Sequence, residues 1–188
     1  MQINIDKKTG TFLGIIAALI LAVVFLLTGN TSTSMNHSSH SSAMSSDEVM
    51  FAQMMIPHHS QAVTMSELAL KNSTTPAILE LATAIRDAQA PEIELMQGWL
   101  DAIGITESHM HDMNMGGMLS DEELAELASL RGTAFDTLFL TSMIAHHEGA
   151  LQMLSMIEDS DKPEVKKLYN NILSSQSAEI KTMKALLK

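Results

Sequence analysis

The 188-residue chain is predicted to be all-α: a four-helix bundle made of two repeated helical hairpins, plus a short extra helix and an N-terminal transmembrane or signal helix. Three observations predict this. Ala, Leu, Met, Glu and Gln dominate from residue 47 onward, and residues of these types lose little on entering a helix. Aromatic residues are few (five Phe, one Trp, one Tyr), and strand-forming runs are scarce. The second half of the chain also repeats the first: MIPHHSQAVTM (55–65) aligns with MIAHHEGALQM (143–153) at an offset of 88, and QAPEIELM (89–96) with QSAEIKTM (176–183) at an offset of 87. Each half is then a hairpin with matched features on both helices, and two such hairpins pack most simply as a bundle with pseudo-two-fold symmetry.

The N-terminal element is the uncharged run Phe12–Leu27, 16 residues long. That is slightly short of the roughly 20 residues that span a bilayer comfortably. Lys7 and Lys8 precede it and no Lys or Arg follows until Lys71, which keeps the N-terminus in the cytosol and sends the rest across the membrane. No A-x-A pattern follows the run, so an uncleaved anchor is favoured over a cleaved signal peptide. Residues 1–29 are assigned to this segment. The chain has no cysteine, which excludes a lipoprotein anchor and disulfides, and limits metal ligands to His, Met, carboxylate and backbone. Residues 30–46 are Ser-rich and read as a flexible tether carrying Met35, His37, His40 and Met44. Residues 47–188 form the bundle domain.

Within that domain Ser45 and Glu48 fit a capping box that opens the first helix near Asp47. Its apolar stripe is read as Val49, Met50, Met54, Ala62, Met65 and Ala69. KNSTTP (71–76) is a turn, and the second helix runs from about Ala77 to Ile103, stopped by Gly104. Residues 104–119 are a loop dense in His and Met. Ser120 and Glu123 make a second capping box for a short helix ending near Leu130. A long helix from about Ala134 to Glu158 follows, then the turn EDSDKP and a last helix that starts at Pro163 and ends near Leu187.

The net charge is −11; residues 1–29 carry +1 (Lys7, Lys8, Asp6), which leaves −12 on the exported part. A chain so acidic is not a nucleic-acid binder, because affinity for phosphate backbones comes from Lys and Arg. The same charge suits solubility and a mild attraction for cations.

The chemistry concentrates in the repeats. Met55 lies three residues before His58 and four before His59, on a shared helix face, and Met143 stands in the same relation to His146 and His147. Adjacent histidines differ by about 100° around a helix and are poorly placed to chelate one ion together. One of each pair is expected to point inward while the other serves a neighbouring position. Met65 and Met153 lie about 10 Å farther along the axis and belong to another layer, core or second site. On the partner helices Gln89, Glu92 and Met96 form a stripe that Gln176, Glu179 and Met183 repeat. A methionine stripe alone is usually core filling, and a lone histidine pair is usually structural. Repetition of His-His, Met and Glu in both halves of a cysteine-free domain favours metal binding. Pro57 and Pro91 are expected to bend their helices beside these residues.

With His and Met as the ligand pool and few carboxylates nearby, the metal is expected to be copper: thioether binds Cu(I), imidazole accepts Cu(I) or Cu(II), and Mg²⁺ or Ca²⁺ would want oxygen. Cu(I) is favoured. The loop HMHDMNMGGM (109–118) adds His109, Met110, His111, Met113, Met115 and Met118 as candidate collecting ligands.

FDTLFLTSMIAHHEGALQM (135–153), with FAQMMIPHHSQAVTM (51–65), resembles the CopM-like family, formerly catalogued as a domain of unknown function. The resemblance spans about residues 47–187. It implies an exported or membrane-anchored ferritin-like bundle that binds copper through Met and His and supports copper resistance. The expected role is therefore sequestration or handover of copper, without catalysis, to or from a copper-exporting or copper-accepting protein. Three alternatives stand beside it. A di-iron enzyme would want Glu-x-x-His, which neither half has. A haem bundle with His/Met axial ligands leaves the duplication unexplained. A structural interaction module would keep the histidines as core residues.

Overall fold

A computed structural model describes residues 44–105 and 115–188. They form α1 (Ser46–Asn72), α2 (Pro76–Ala102), α3 (Asp121–Ser129), α4 (Gly132–Met153) with a 3₁₀ turn (Leu154–Met156) on its end, and α5 (Pro163–Leu186). The anchor assigned to 1–29 and the tether as far as residue 43 lie outside the described residues. Among the described residues no helix is long and apolar enough to cross a membrane.

The helix starts follow the capping chemistry. At α1 the Ser45 hydroxyl accepts the Glu48 N–H at 3.2 Å, and the Glu48 carboxylate accepts the Ser45 N–H at 2.7 Å. Ser120 and Glu123 repeat the arrangement at α3, at 3.2 and 2.8 Å. Pro76 and Pro163 open α2 and α5, where the missing N–H costs nothing. Both α1 and α2 continue through Pro57 and Pro91. Two boundaries differ from expectation. α4 begins at Gly132, whose φ of +59° turns the chain directly into the helix. It gives way at Leu154 to the tighter 3₁₀ turn, which buries Leu154 and Ile157.

The connectivity follows from the contacts between helix ends. Glu48, at the start of α1, accepts hydrogen bonds from Ser160 and Lys162, just before α5. At the other end Thr75 donates to Asp136 in the first turns of α4, and Asn72 donates to the Ala128 carbonyl of α3. α1 therefore runs up, α2 and α4 run down, and α5 runs up. The crossover carrying α3 returns the chain along the length of the bundle. One long crossover of this kind is the ferritin-like way of joining two hairpins.

The buried face of α1 is Phe51, Ala52, Met55, Ala62, Met65 and Ala69, together with Glu48, His58, His59 and Ser66. The expected stripe was offset: Met50 is 42% exposed, and Val49 and Met54 are only half-buried. Polar residues share the inner face, so apolar spacing alone could not locate it.

The core is divided. One apolar cluster holds Ala62, Met65, Ile85, Phe135, Phe139, Met143 and Met183; the other holds Phe51, Met55, Met96, Leu100, Met153 and Ile172. On each long helix the residues between the two clusters are polar and sit at the middle of the bundle. These are His58 and His59 on α1, Gln89 and Glu92 on α2, His146 and His147 on α4, and Gln176 and Glu179 on α5.

Candidate metal centre

All four histidines of the doubled motif are buried in this waist. His58 and His146 meet across the α1–α4 seam with ring centroids 3.7 Å apart and planes 40° apart. His59 and His147 turn instead toward the second helix of their own hairpins. His59 Nε2 lies 2.9 Å from the Glu92 carboxylate and His147 Nε2 lies 2.6 Å from that of Glu179. The 100° step between neighbouring residues thus sends one histidine of each pair to the pseudo-two-fold axis and the other to a carboxylate.

The two central rings are held neutral. Burial pushes His58 down to about 3, aided by His59 and His147 and opposed by its bond to Gly116. Burial, with the neighbouring histidines, holds His146 well below the usual histidine range. Neutral imidazoles are the form that can ligate a metal.

Polar groups in the waist are poorly satisfied. Neither ring nitrogen of His146 reaches a hydrogen-bond partner, nor does Nδ1 of His58, His59 or His147. The Gln89 amide is unpartnered at both ends, and so is the Gln176 carbonyl. Buried polar atoms are nearly always paired, so such a concentration in one layer calls for a ligand or solvent.

The thioethers flank this layer symmetrically. Met55, Met96 and Met153 belong to one apolar cluster, and Met143, Met183 and Met65 to the other. The offsets of 88 and 87 relate the two sets one to one. With a rise of 1.5 Å per residue, Met55 and Met143 lie about 4.5 Å to either side of the stacked rings, and Met65 and Met153 about 10 Å away. Met55 and Met143 are the thioethers nearest the histidines along their own helices; Met65 and Met153 belong to the apolar clusters on either side. Among the described residues no three His, Asp or Glu side chains form a ligand cluster, so no cage of imidazoles and carboxylates is preformed for any metal ion.

The crossover closes over the seam. The Gly116 carbonyl accepts from His58 Nε2 at 3.2 Å. A Cβ on Gly149 would overlap that carbonyl, and one on Gly117, at φ +80°, would overlap the Ala145 carbonyl. Gln61 fixes the same strand of chain by donating to the Leu119 carbonyl and accepting its N–H, both at 2.8 Å. Met115 is buried in this segment and Met118 is half-buried. His109, Met110, His111 and Met113 lie outside the described residues, as do Met35, His37 and His40.

Two parts of the centre departed from the sequence reading. Carboxylates were expected to be few near the ligands, yet Glu92 and Glu179 each bond one histidine. Their matched positions in the repeat were the signal. The Gly116 carbonyl had no signal, since a backbone acceptor carries no residue type. A cleft at the Glu48 end, lined by Asp47, Asp159, Asp161, Lys162 and Glu164, is no rival centre. It contains no histidine and lies about 15 Å along α1 from His58.

These features define a ferritin-like helical bundle with a buried polar waist rich in histidine. The chain belongs to the DUF305 family: the profile of that family, described as a domain of unknown function, matches residues 48–187. A DUF305 protein from Streptomyces coelicolor, described as a putative secreted protein, is 32% identical with a TM-score of 0.70, covering 76% of this chain and 92% of that one. CopM in its Cu(I)-bound form is 34% identical with a TM-score of 0.63, covering 76% and 96%. CopM has also been solved with Cu(II) and with Ag. Protein L153 of Acanthamoeba polyphaga mimivirus is 42% identical over 55 residues, so the match spans 29% of this chain and 36% of that protein.

Proposed function

We propose that this chain is an exported copper-binding protein that captures Cu(I) in the bundle waist, and that it sequesters or hands over the ion without catalysing a reaction. The observation that carries this reading is the layer of buried, unpartnered imidazole nitrogens between two thioether-bearing clusters. His58 and His146 supply neutral nitrogen donors, His59 and His147 add two further imidazoles, and Met55 and Met143 are the nearest thioethers along the histidine helices. Both donor types are soft enough for a monovalent d¹⁰ ion, and neither suits Mg²⁺ or Ca²⁺. The likeness to CopM, solved with Cu(I), Cu(II) and Ag, supports the choice of metal. Met65, Met96, Met153 and Met183 form the next layer, and Met115 is buried beside Gly116 at the same seam. His109, Met110, His111 and Met113, outside the described residues, are proposed as collecting ligands.

An ion held between two imidazole nitrogens at about 2 Å each separates those nitrogens by about 4 Å. An ion shared by His58 and His146, whose ring centroids lie 3.7 Å apart with planes tilted by 40°, is proposed to sit at their edge nitrogens, from which it can pass to a partner. We place the domain outside the cytoplasm, held by residues 1–29 in the cytoplasmic membrane, where it would support copper tolerance together with a copper-exporting or copper-accepting partner. The charge pattern around Phe12–Leu27 supports this placement.

The test is an anaerobic Cu(I) titration of the full chain against a colorimetric chelator of known affinity, repeated on the variant with His58, His59, His146 and His147 all changed to Ala. Competition by the parent, lost in a folded variant, is expected. Full retention by the variant would move the site to the Met-rich loop. Absence of competition by both would sink the copper reading and leave a structural role for the histidines.

A further inference from the structure

The hydrogen bonds around the waist specify more than which residues are near one another. A carbonyl or carboxylate oxygen only accepts a hydrogen bond, so the nitrogen facing it carries the proton. Nε2 of His58 faces the Gly116 carbonyl, Nε2 of His59 faces Glu92 and Nε2 of His147 faces Glu179. In a neutral imidazole the other nitrogen then holds the lone pair. That other nitrogen, Nδ1, is buried and without a partner in all three residues. The pattern is shared by both halves of the repeat, although the three acceptors come from α2, α5 and the crossover.

Resting on the copper reading above, we infer that Nδ1 is the nitrogen through which any one of these histidines takes the captured ion, and that Glu92 and Glu179 are positioning residues that hold the protons on Nε2. A histidine ligand commonly donates its second ring N–H to a carboxylate, which fixes the ring and makes the free nitrogen a better donor. Here both carboxylates are in place before any ion arrives. The Gly116 carbonyl does the same for His58.

The test uses the full chain with ¹⁵N-labelled histidine and two-bond ¹H–¹⁵N correlation spectra, which separate protonated from lone-pair nitrogens. Before metal, His58, His59 and His147 are expected to show the Nε2–H form. Ag(I), a diamagnetic stand-in for Cu(I), is expected to shift the Nδ1 resonances of His59 and His147 while Nε2–H persists. Glu92→Leu and Glu179→Leu should each release the proton preference of their histidine and weaken Ag(I) binding about 10- to 100-fold. Glu179→Gln, which keeps an acceptor oxygen, should recover most of the loss and the Nε2–H signal. A purely structural glutamate would affect melting without moving the nitrogen shifts.

Loss of Nε2–H with Ag(I) at that nitrogen would overturn this assignment and leave the copper reading standing. Ag(I) bound with no imidazole nitrogen perturbed would overturn it and send the ion to the thioethers. No Ag(I) binding, with the apo spectrum as expected, would remove the copper reading and the ligand assignment with it.

Discussion

The two hairpins carry the same motif but meet the rest of the chain differently. His59–Glu92 and His147–Glu179 are counterparts, yet the first bond is 2.9 Å long with 14% of the Glu92 side chain exposed, and the second is 2.6 Å with 4% of Glu179 exposed. His58 has an acceptor in Gly116 where its counterpart His146 has none. Gln61 and Gly149 occupy one position of the repeat, as do Pro57 and Ala145. Gln61 reaches out to hold Leu119, while Gly149 and the Ala145 backbone leave room for Gly116 and Gly117. The crossover has therefore recruited opposite solutions from matched positions: a long side chain on α1 and an absent one on α4. The duplication supplies the centre, and departures from it supply the cover.

Acid should produce the largest effect, and it tests whether the two central histidines act alike. Their folded-state pKa values lie below the ordinary 6.5, near 3 for His58 and well below 6.5 for His146. Between those values and 6.5 the unfolded chain binds protons that the folded chain does not. Stability should fall as pH drops below 6.5, by about 1.4 kcal/mol per pH unit for each histidine. Urea unfolding followed from pH 7 to 4 checks this, and the His58→Phe/His146→Phe double variant should flatten the slope. Glu48 adds a separate loss. Burial raises its pKa, but its bonds from Lys162, Ser160 and Ser45 prevail and hold it at about 2. Its contribution is present above pH 4.5 and fades as pH falls toward 2. A double variant as acid-sensitive as the parent would show that the waist is not the source.

Next in size is the cover. Gly149→Ala places a Cβ on the Gly116 carbonyl and should cost about 3 kcal/mol through backbone displacement. Gln61→Ala removes two hydrogen bonds and should cost about 1–2 kcal/mol. For a chain of this length each kcal/mol lowers Tm by about 2–4 °C, which a thermal scan resolves. Equal losses would mean that the crossover rests on neither position in particular.

The carboxylates come third. Glu179→Leu leaves a buried N–H unpaired and should cost about 2–3 kcal/mol, whereas Glu92→Leu, with water closer at hand, should cost about 1 kcal/mol. Chemical denaturation of the two variants decides; a reversed order would contradict the burial difference. Smallest, and differing in sign, are the single ring replacements. His58→Phe strands the Gly116 carbonyl and should cost about 1 kcal/mol, while His146→Phe removes two unpaired nitrogens and should be neutral or stabilising by about 0.5 kcal/mol. The same denaturation measurement, without metal, separates them.

Much of this was legible in the sequence because repeats and caps are local signals. Ser45–Glu48 and Ser120–Glu123 marked two helix starts, and the doubled MIxHH block required a second hairpin like the first. The spacing of His58 and His59 already implied that they would diverge. What could not be read depends on tertiary placement. The inner face of α1 is partly polar, so the apolar stripe located it at Ala62, Met65 and Ala69 but missed it at Met50. Gly116 matters through its carbonyl, which every residue has. The absence of a partner for His146 is a property of the space around it. Matched glutamates at 92 and 179 were visible, but their pairing with His59 and His147 needed the register between helices, which periodicity does not contain.

The seam that joins His58 to His146 lies between hairpins, whereas each His–Glu pair lies within one. A single hairpin would therefore own a carboxylate-bound histidine and half of a stack. Two separate copies could complete the centre only by colliding, at a rate set by their abundance. The crossover carrying α3 makes that encounter intramolecular, so its effective concentration is set by the connection and not by abundance. The chain behaves as a dimer whose halves cannot be diluted apart, so its waist stays assembled however few molecules a cell makes.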